Sequence, residues 1–420
     1  MNILLRKVLI AYPGSVFNNS VKDILVSGGV IKSIDDAVDA QDADVIDIPG
    51  LVVSPGWVDI FSHFADPGLE YRETLETGAA AAAAGGFTTV FAIPNTAPAI
   101  QSKTQAEYVV QKSKSLPVNI YPLGAVTKNL EGKELAEMYD MHASGAVAFS
   151  DGTQPVQSAG LLLKALQYVK AFDGVVVQVP MDKSIGQYGL INEGVVSTRL
   201  GLPGIPAMAE ELIVARDIKL ARYAESKIHF TGVSTAKSME YIKRAKDAGL
   251  QVTCSVTPYH LYFCDEDMVS YDTNLKVTPP LRSKADREAL KDAVLNGWVD
   301  CVASHHIPHN WDSKVCEFEY AKHGMIGLQT AYAVLQTAIP QLNAAQVVNL
   351  LCTNASKIFN LPTPGFAEGE AAALTLFNPA GQTRLTKENN KSKSANSPFF
   401  DQTLTGEVVG IINRNGLYRN

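Results

Sequence analysis

"ETGAAAAAAGGFTTVFAIP", residues 76–94, reads as a helix of small residues, a double-glycine stop and a buried strand. The alanines Ala79 to Ala84 suit a helix face that packs closely, and Gly85 and Gly86 end it. The run "TTVFAIP" is β-branched and aromatic with no polar alternation, which marks a strand covered on both faces, as in a parallel sheet. Seven more runs share that texture: "WVDIF", "VNIYPLG", "AVAFS", "VVVQVP", "IHFTGVS", "VTCSVT" and "DCVAS". Eight buried strands alternating with helical segments predict an α/β chain built as a (β/α)8 barrel. A doubly wound open sheet is the alternative, but it would normally carry fewer strands.

Outside this region the texture changes. Residues 1 to about 55 alternate short β-like runs ("KDILVSGGVIKSI", "ADVIDIPGLVVSP") with Gly and Asp turns, which predicts hairpins. The same texture returns from about 365, in "AALTLFNP" and "GEVVGIINRNG" on either side of the polar "TKENNKSKSANSPF". The two ends are therefore expected to form one small β-sandwich domain (1–55 with 365–420), leaving 56–364 as the barrel.

The 420 residues allow one large domain with a satellite. A formal net charge of -7 and a pI near 5.7, without a basic run, argue against nucleic acid and anionic membrane surfaces as partners. The start "MNILLRKVLIAY" interrupts its apolar residues with Arg6 and Lys7 and reads as a strand rather than a signal peptide. No window approaches the roughly 18 apolar residues of a spanning helix. Cys254, Cys264, Cys301, Cys316 and Cys352 form an odd, unpatterned set, which suggests reduced thiols in a cytoplasmic protein.

In a barrel of this kind the active site gathers at the C-terminal ends of the strands. The chemically distinctive residues fall there: His63 and Asp66 after strand one, "PNT" (Pro94 to Thr96) after two, Ser150 and Asp151 after four, Gln178 in five and Gly232 in six. "PYH" (Pro258 to His260) follows strand seven and "SHHIPH" (Ser304 to His309) follows eight.

The stretches "SPGWVDIFSHFADPG", "GAAAAAAGGFTTVFAIPNTAP", "AFSDGTQPV", "VTPYHL", "KVTPPLRSKADREAL", "SHHIPH" and "SANSPF", in this order and spacing, resemble the dihydroorotase family of amidohydrolases over essentially the whole chain. The resemblance implies a barrel with a β-sandwich satellite and a zinc centre that opens the cyclic amide of dihydroorotate in pyrimidine synthesis. Such a centre needs imidazoles and carboxylates at close range to bind the metal, whose bound water falls to a pKa of about 7. The family pattern implies an HxH pair after strand one, a carboxylate after four, a His in each of five and six, and an Asp after eight that moves the proton.

This chain departs from that pattern at several positions. Phe61 replaces the first His of the pair, leaving His63; Gln178 and Gly232 stand at the strand-five and strand-six positions; His305 stands at the catalytic Asp. Asp151 is the one other inherited ligand candidate. The Arg two residues beyond the HxH pair is Ala65 and the Asn of "NPPLR" is Thr278, while Asn95 is kept. No catalytic residue, metal or other cofactor is therefore expected, and any metal would fall to His63 and Asp151. The residues His63, Asn95, Asp151, Gln178, His260, Thr278, Arg282, His305, His306 and His309 are expected to line a remnant pocket.

Three functions fit. The first is a non-catalytic, dihydroorotase-like assembly partner of aspartate carbamoyltransferase, since related chains associate with that enzyme; a homo-oligomer is the other assembly expected. The second is an active dihydroorotase or related cyclic amidohydrolase with a rearranged zinc site. The third is a protein that binds a pyrimidine intermediate without turning it over.

Blander readings stand beside these. His305, His306 and His309 could be a relocated metal site, but adjacent residues on an extended segment point opposite ways, so hydrogen-bonded remnants are favoured. Asp66, before Pro67 and Gly68, reads as a turn residue, and Arg282 as either an anion grip or a structural ion pair. Cys254 and Cys301 read as core thiols.

Overall fold

The computed structural model describes residues 1–362 and 365–420. Eight parallel strands form the barrel: Trp57–Ser62, Phe87–Ala92, Asn119–Gly124, Ala148–Phe149, Val175–Gln178, Lys227–Phe230, Val252–Val256 and Cys301–Val302. They lie in sequence order and correspond one to one with the eight apolar runs. Strands one and eight do not pair directly. The gap is bridged just beyond them, where Ser62 pairs with His306 and the His63 amide donates to the His306 carbonyl at 2.8 Å. No helix among the described residues is long and apolar enough to cross a membrane.

The alanine run forms the helix Leu75–Ala84, started by a capping box between Thr74 and Thr77. Small residues are required on its inner face, because a Cβ on Gly78 would meet the Phe64 ring at 2.5 Å. Gly86 ends the turn with φ +88, and a Cβ there would come within 2.8 Å of the Trp57 indole. Helix and strand thus approach each other more closely than larger side chains would permit.

Strands from both ends of the chain share one eight-stranded sheet. Asn2–Ile10, Val21–Ser27 and Val30–Asp35 pair as antiparallel neighbours, the hairpins foreseen in this region. Val52–Pro55 pairs antiparallel with Leu374–Arg384, which continues through Thr403–Asn413 to Gly416–Arg419. Only Gly56 separates this sheet from barrel strand one, and Trp57 joins the two units: its ring lies 5.1 Å from those of Tyr332 and Phe377. The expected barrel boundary at 364 lies outside the described residues.

Asp66 does more than favour a turn. Its buried carboxylate accepts from Tyr108 Oη at 2.8 Å and from Lys112 Nζ at 2.6 Å, anchoring the helix Lys103–Lys112 to the strand-one loop. Glu73 acts similarly at the mouth of the barrel. Fully buried, it accepts from His306 Nε2 at 3.2 Å, from the Lys393 amide at 3.0 Å, and from the Ser392 and Thr77 hydroxyls. One carboxylate thereby holds the loop after strand one, the loop after strand eight and the C-terminal segment together. Asn396 extends the strap, with its Nδ2 donating to the carbonyls of Ile307 at 3.0 Å and Gly324 at 3.1 Å.

Glu73→Ala should leave several buried donors unpaired and cost about 3–5 kcal/mol, a large share of the roughly 5–15 kcal/mol that holds a domain folded. Glu73→Gln, which keeps an acceptor, should cost less. Denaturant unfolding checks this, and an unchanged midpoint for Glu73→Ala would contradict it.

Candidate functional site

A cavity of about 360 Å³ opens at the C-terminal ends of the barrel strands. Strand one contributes Phe61 and His63, the second loop Asn95, the fourth Thr153 and Gln154, and the loop after strand eight His305 and His309. Tyr259, Thr278, Arg72, Lys322 and His323 complete its polar wall, so the lining holds one arginine and one lysine and no aspartate or glutamate.

Of the residues foreseen for this pocket, His63, Asn95, Thr278, His305 and His309 line it, whereas Asp151, Gln178, His260, Arg282 and His306 do not. Each exception is a correction with a local cause. Asp151 turns to Thr127, accepting from its amide at 2.9 Å and its hydroxyl at 2.5 Å. Gln178 Nε2 donates to Asp217 at 3.2 Å and to the Val156 carbonyl at 3.3 Å, while its Oε1 accepts from the Val156 amide. His260 Nε2 donates to the carbonyls of Pro279 and Pro280 at 3.1 and 3.2 Å.

Arg282 spends its guanidinium on Asn192, the Ile205 carbonyl and Ser234, with Glu210 at 3.8 Å, so it grips protein and not a cavity anion. His306 is committed to Glu73. His305 and His306 do part company, though not through extended backbone: His305 sits at φ +44 and aims into the barrel.

Gly232, His305 and Phe61 fit one another. Gly232 lies two residues past the end of strand six, with φ +72. A Cβ there would fall 2.6 Å from His305 Cε1, so the imidazole stands where a side chain at 232 would begin. Phe61 stacks on the other side, with ring centroids 4.3 Å apart and planes at 28°. His305 Nε2 meets Thr231 Oγ1 at 2.8 Å.

These residues do not fit a zinc centre. A catalytic site needs three protein ligands and an open position. Phe61 and Gly232 offer no donor atom, and Gln178 and Asp151 are engaged by Val156, Asp217 and Thr127. His63 Nε2 donates to the Asn95 carbonyl at 2.9 Å. Among the described residues no three His, Cys, Asp or Glu side chains come together as a metal-holding group.

Burial lowers the imidazoles far below their ordinary value: His63, His260 and His323 to about 4, and His229, His305 and His309 to about 3. At neutral pH they act as neutral donors and acceptors. Burial also pushes the Asp151 and Asp217 carboxyls up to about 6 and Cys254 to about 12, which suits a core thiol. Cys301 is raised by burial as well.

Sequence reasoning missed Arg72, Lys322 and His323, which reach the cavity from flanking loops, and His229, buried in strand six. His229 was the readable one, since a histidine in an apolar strand needs hydrogen-bond partners.

A family model described as "Dihydro-orotase-like" matches residues 50–238. A protein of Syntrophus aciditrophicus named "Dihydroorotase" is 38% identical over 414 residues, covering 97% of this chain and 97% of that protein. Another, from Caldanaerobacter subterraneus subsp. tengcongensis and named likewise, is 40% identical over 390 residues, covering 92% and 90%. Among solved structures, the L-hydantoinase (dihydropyrimidinase) of Arthrobacter aurescens superposes with a TM-score of 0.85 at 23% identity, covering 99% of this chain and 95% of that one. The dihydropyrimidinase of Brevibacillus agri gives 0.83 at 21% identity, with the same coverage. At such identities the structural likeness speaks to the fold alone.

The depressed imidazoles make stability pH-dependent. Six histidines with folded values below the ordinary 6.5 take up protons on unfolding, so their contribution is complete above about 6.5 and is lost as pH falls towards 4. Asp151 and Asp217, raised above 3.8, oppose this over the same range because they hold protons in the fold. Burial raises Asp59, Glu211 and Asp265 as well, so six imidazoles stand against five carboxyls, and each imidazole costs up to about 1.4 kcal/mol per pH unit. The melting temperature should be lower at pH 5 than at pH 7.5; an equal or higher value at pH 5 would contradict the assignment.

Proposed function

Because this chain belongs to the dihydroorotase-like family, we propose that it holds a small cyclic-amide ligand in the barrel-mouth cavity without hydrolysing it through zinc. The observation that carries this reading is the interlocked trio at the old metal positions. His305 occupies the space beside Gly232, Phe61 covers its face, and among the described residues no three His, Cys, Asp or Glu side chains come together to hold a metal ion. Losing a metal-activated water and the acid/base group together removes two contributions to barrier lowering, the metal's worth several kcal/mol. The cavity itself is intact, with cations and neutral imidazoles on its wall.

A second reading, hydrolysis of a cyclic amide, is favoured by the relatives. Proteins named "Dihydroorotase" align over nine-tenths or more of the chain at 38–40% identity. In that reading His63 and Asp151 would hold zinc after rearranging away from Asn95 and Thr127. Elemental analysis after zinc loading and desalting, together with an assay on dihydroorotate, separates the two. The non-hydrolytic reading expects substoichiometric zinc and no turnover, whereas about one or two tightly held ions per chain with chelator-sensitive turnover would establish hydrolysis.

Assembly with aspartate carbamoyltransferase is a separate proposal, carried by the resemblance and concerning the outer surface. A stable pair should bury at least about 1,000 Å² and raise both melting temperatures by mass action. Co-elution with that enzyme from the same organism at micromolar concentration is the expected outcome. Independent elution with unchanged melting temperatures would remove the proposal.

A further inference from the structure

A chain of hydrogen bonds runs through the barrel interior from Thr253 to the cavity floor. Thr253 Oγ1 lies 2.9 Å from His229 Nδ1, and His229 Nε2 lies 3.1 Å from Ser255 Oγ. The Ser255 hydroxyl donates to Thr231 Oγ1 at 2.9 Å, and Thr231 Oγ1 lies 2.8 Å from His305 Nε2. All of these groups except Thr253 are buried.

The direction of this chain follows from counting protons. A hydroxyl has one, and Ser255 gives its proton to Thr231, so His229 Nε2 must carry the hydrogen between His229 and Ser255. A neutral His229 then has a bare Nδ1, which accepts from Thr253. Buried Thr231 has one proton of its own to place, and among the described residues His305 Nε2 is the one acceptor within hydrogen-bond reach of it, so pairing that proton sends it there. His305, which burial keeps neutral, must therefore carry its hydrogen on Nδ1. That atom has no protein partner among the described residues, and His305 lines the cavity.

A second observation is independent of the relay. His305 holds a left-handed backbone, φ +44, which costs a non-glycine residue on the order of 1 kcal/mol, and position 232 is left without a Cβ to admit the ring. Strain of this kind persists where the surroundings over-determine a side chain's position. The cavity wall also presents Arg72 and Lys322 with no carboxylate in the lining to balance them.

We propose that His305 is a ligand-binding residue of this cavity. Its Nδ1–H, fixed in that tautomer by the relay through Thr231, donates to a carbonyl oxygen of a small carboxylate-bearing amide whose charge faces Arg72 and Lys322. The proposal deepens the non-hydrolytic pocket reading above and rests on it for the existence of a ligand.

The test uses the full chain labelled with 15N-histidine, with dihydroorotate and uncharged uracil as probes in titration calorimetry. The expected results are an Nδ1–H signature for His305, binding of dihydroorotate, and binding of uracil weaker by at least about tenfold. Thr231→Val should shift the tautomer and weaken dihydroorotate about tenfold, the value of roughly one hydrogen bond, and His305→Ala should weaken it at least as much. Thr231→Val is close in shape to the native residue, so it keeps the test informative if His305→Ala does not fold. An Nε2–H tautomer, unchanged affinity in both variants, equal binding of uracil, or no binding of dihydroorotate at millimolar concentration would each overturn the proposal. Bound zinc with turnover would instead overturn the non-hydrolytic reading, and the tautomer and variant affinities would still judge His305.

Discussion

The mouth of this barrel depends on one buried hydrogen bond, between the carboxylate of Glu73 and the imidazole of His306. His306 Nδ1 accepts from the amides of Gly327 and Leu328 at 3.2 and 3.4 Å, which leaves Nε2 as the donor to Glu73. Both ring nitrogens are thus committed, and the backbone of the same residue bridges barrel strands one and eight. With His306 fixed outward, its neighbour must turn inward, and the chain meets that demand with the left-handed backbone of His305. The geometry of the cavity floor follows from a contact that lies outside the cavity.

The barrel was legible because its strands are covered on both faces, which leaves uninterrupted apolar runs that few other environments produce. Their lengths were less legible. "AVAFS" and "DCVAS" yield strands of two residues each, Ala148–Phe149 and Cys301–Val302. Gly232, read as part of strand six, falls two residues beyond its last residue, Phe230. The alanine helix was readable down to its purpose, since Gly78 against Phe64 permits nothing larger. The anchoring role of Asp66 was not, because Tyr108 and Lys112 belong to a helix some forty residues away in sequence.

The site divides along similar lines. That Phe61 and Gly232 offer no donor atom can be read from residue type alone, since phenylalanine and glycine coordinate nothing. Where the remaining polar side chains turn cannot. Gln178 finds Asp217 and Val156, and Asp151 finds Thr127, through contacts between loops that the one-dimensional pattern does not place together. Arg282 shows this most plainly, because its two alternatives, anion grip or structural pair, differ only in whether Glu210 and Asn192 reach it first. Arg72 and Lys322 reach the cavity from loops of ordinary polar composition, so nothing in the sequence set them apart.

Decay and rebuilding leave different marks in such a site. Independent losses would leave voids or unpaired groups, each costing about 1–3 kcal/mol when polar and buried. Here the absent side chain at 232, the imidazole at 305 and the ring at 61 fill one another's space, and His305 Nε2 meets the hydroxyl of Thr231, which accepts in turn from Ser255. Residues in direct contact do not contribute additively, so each of these three is suitable only in the presence of the others. A histidine placed at 232 would collide with His305, and an aspartate placed at 305, being shorter, would leave a space beside Phe61 and Gly232. The three positions therefore form one packed unit, and its interlocking shapes this part of the cavity floor.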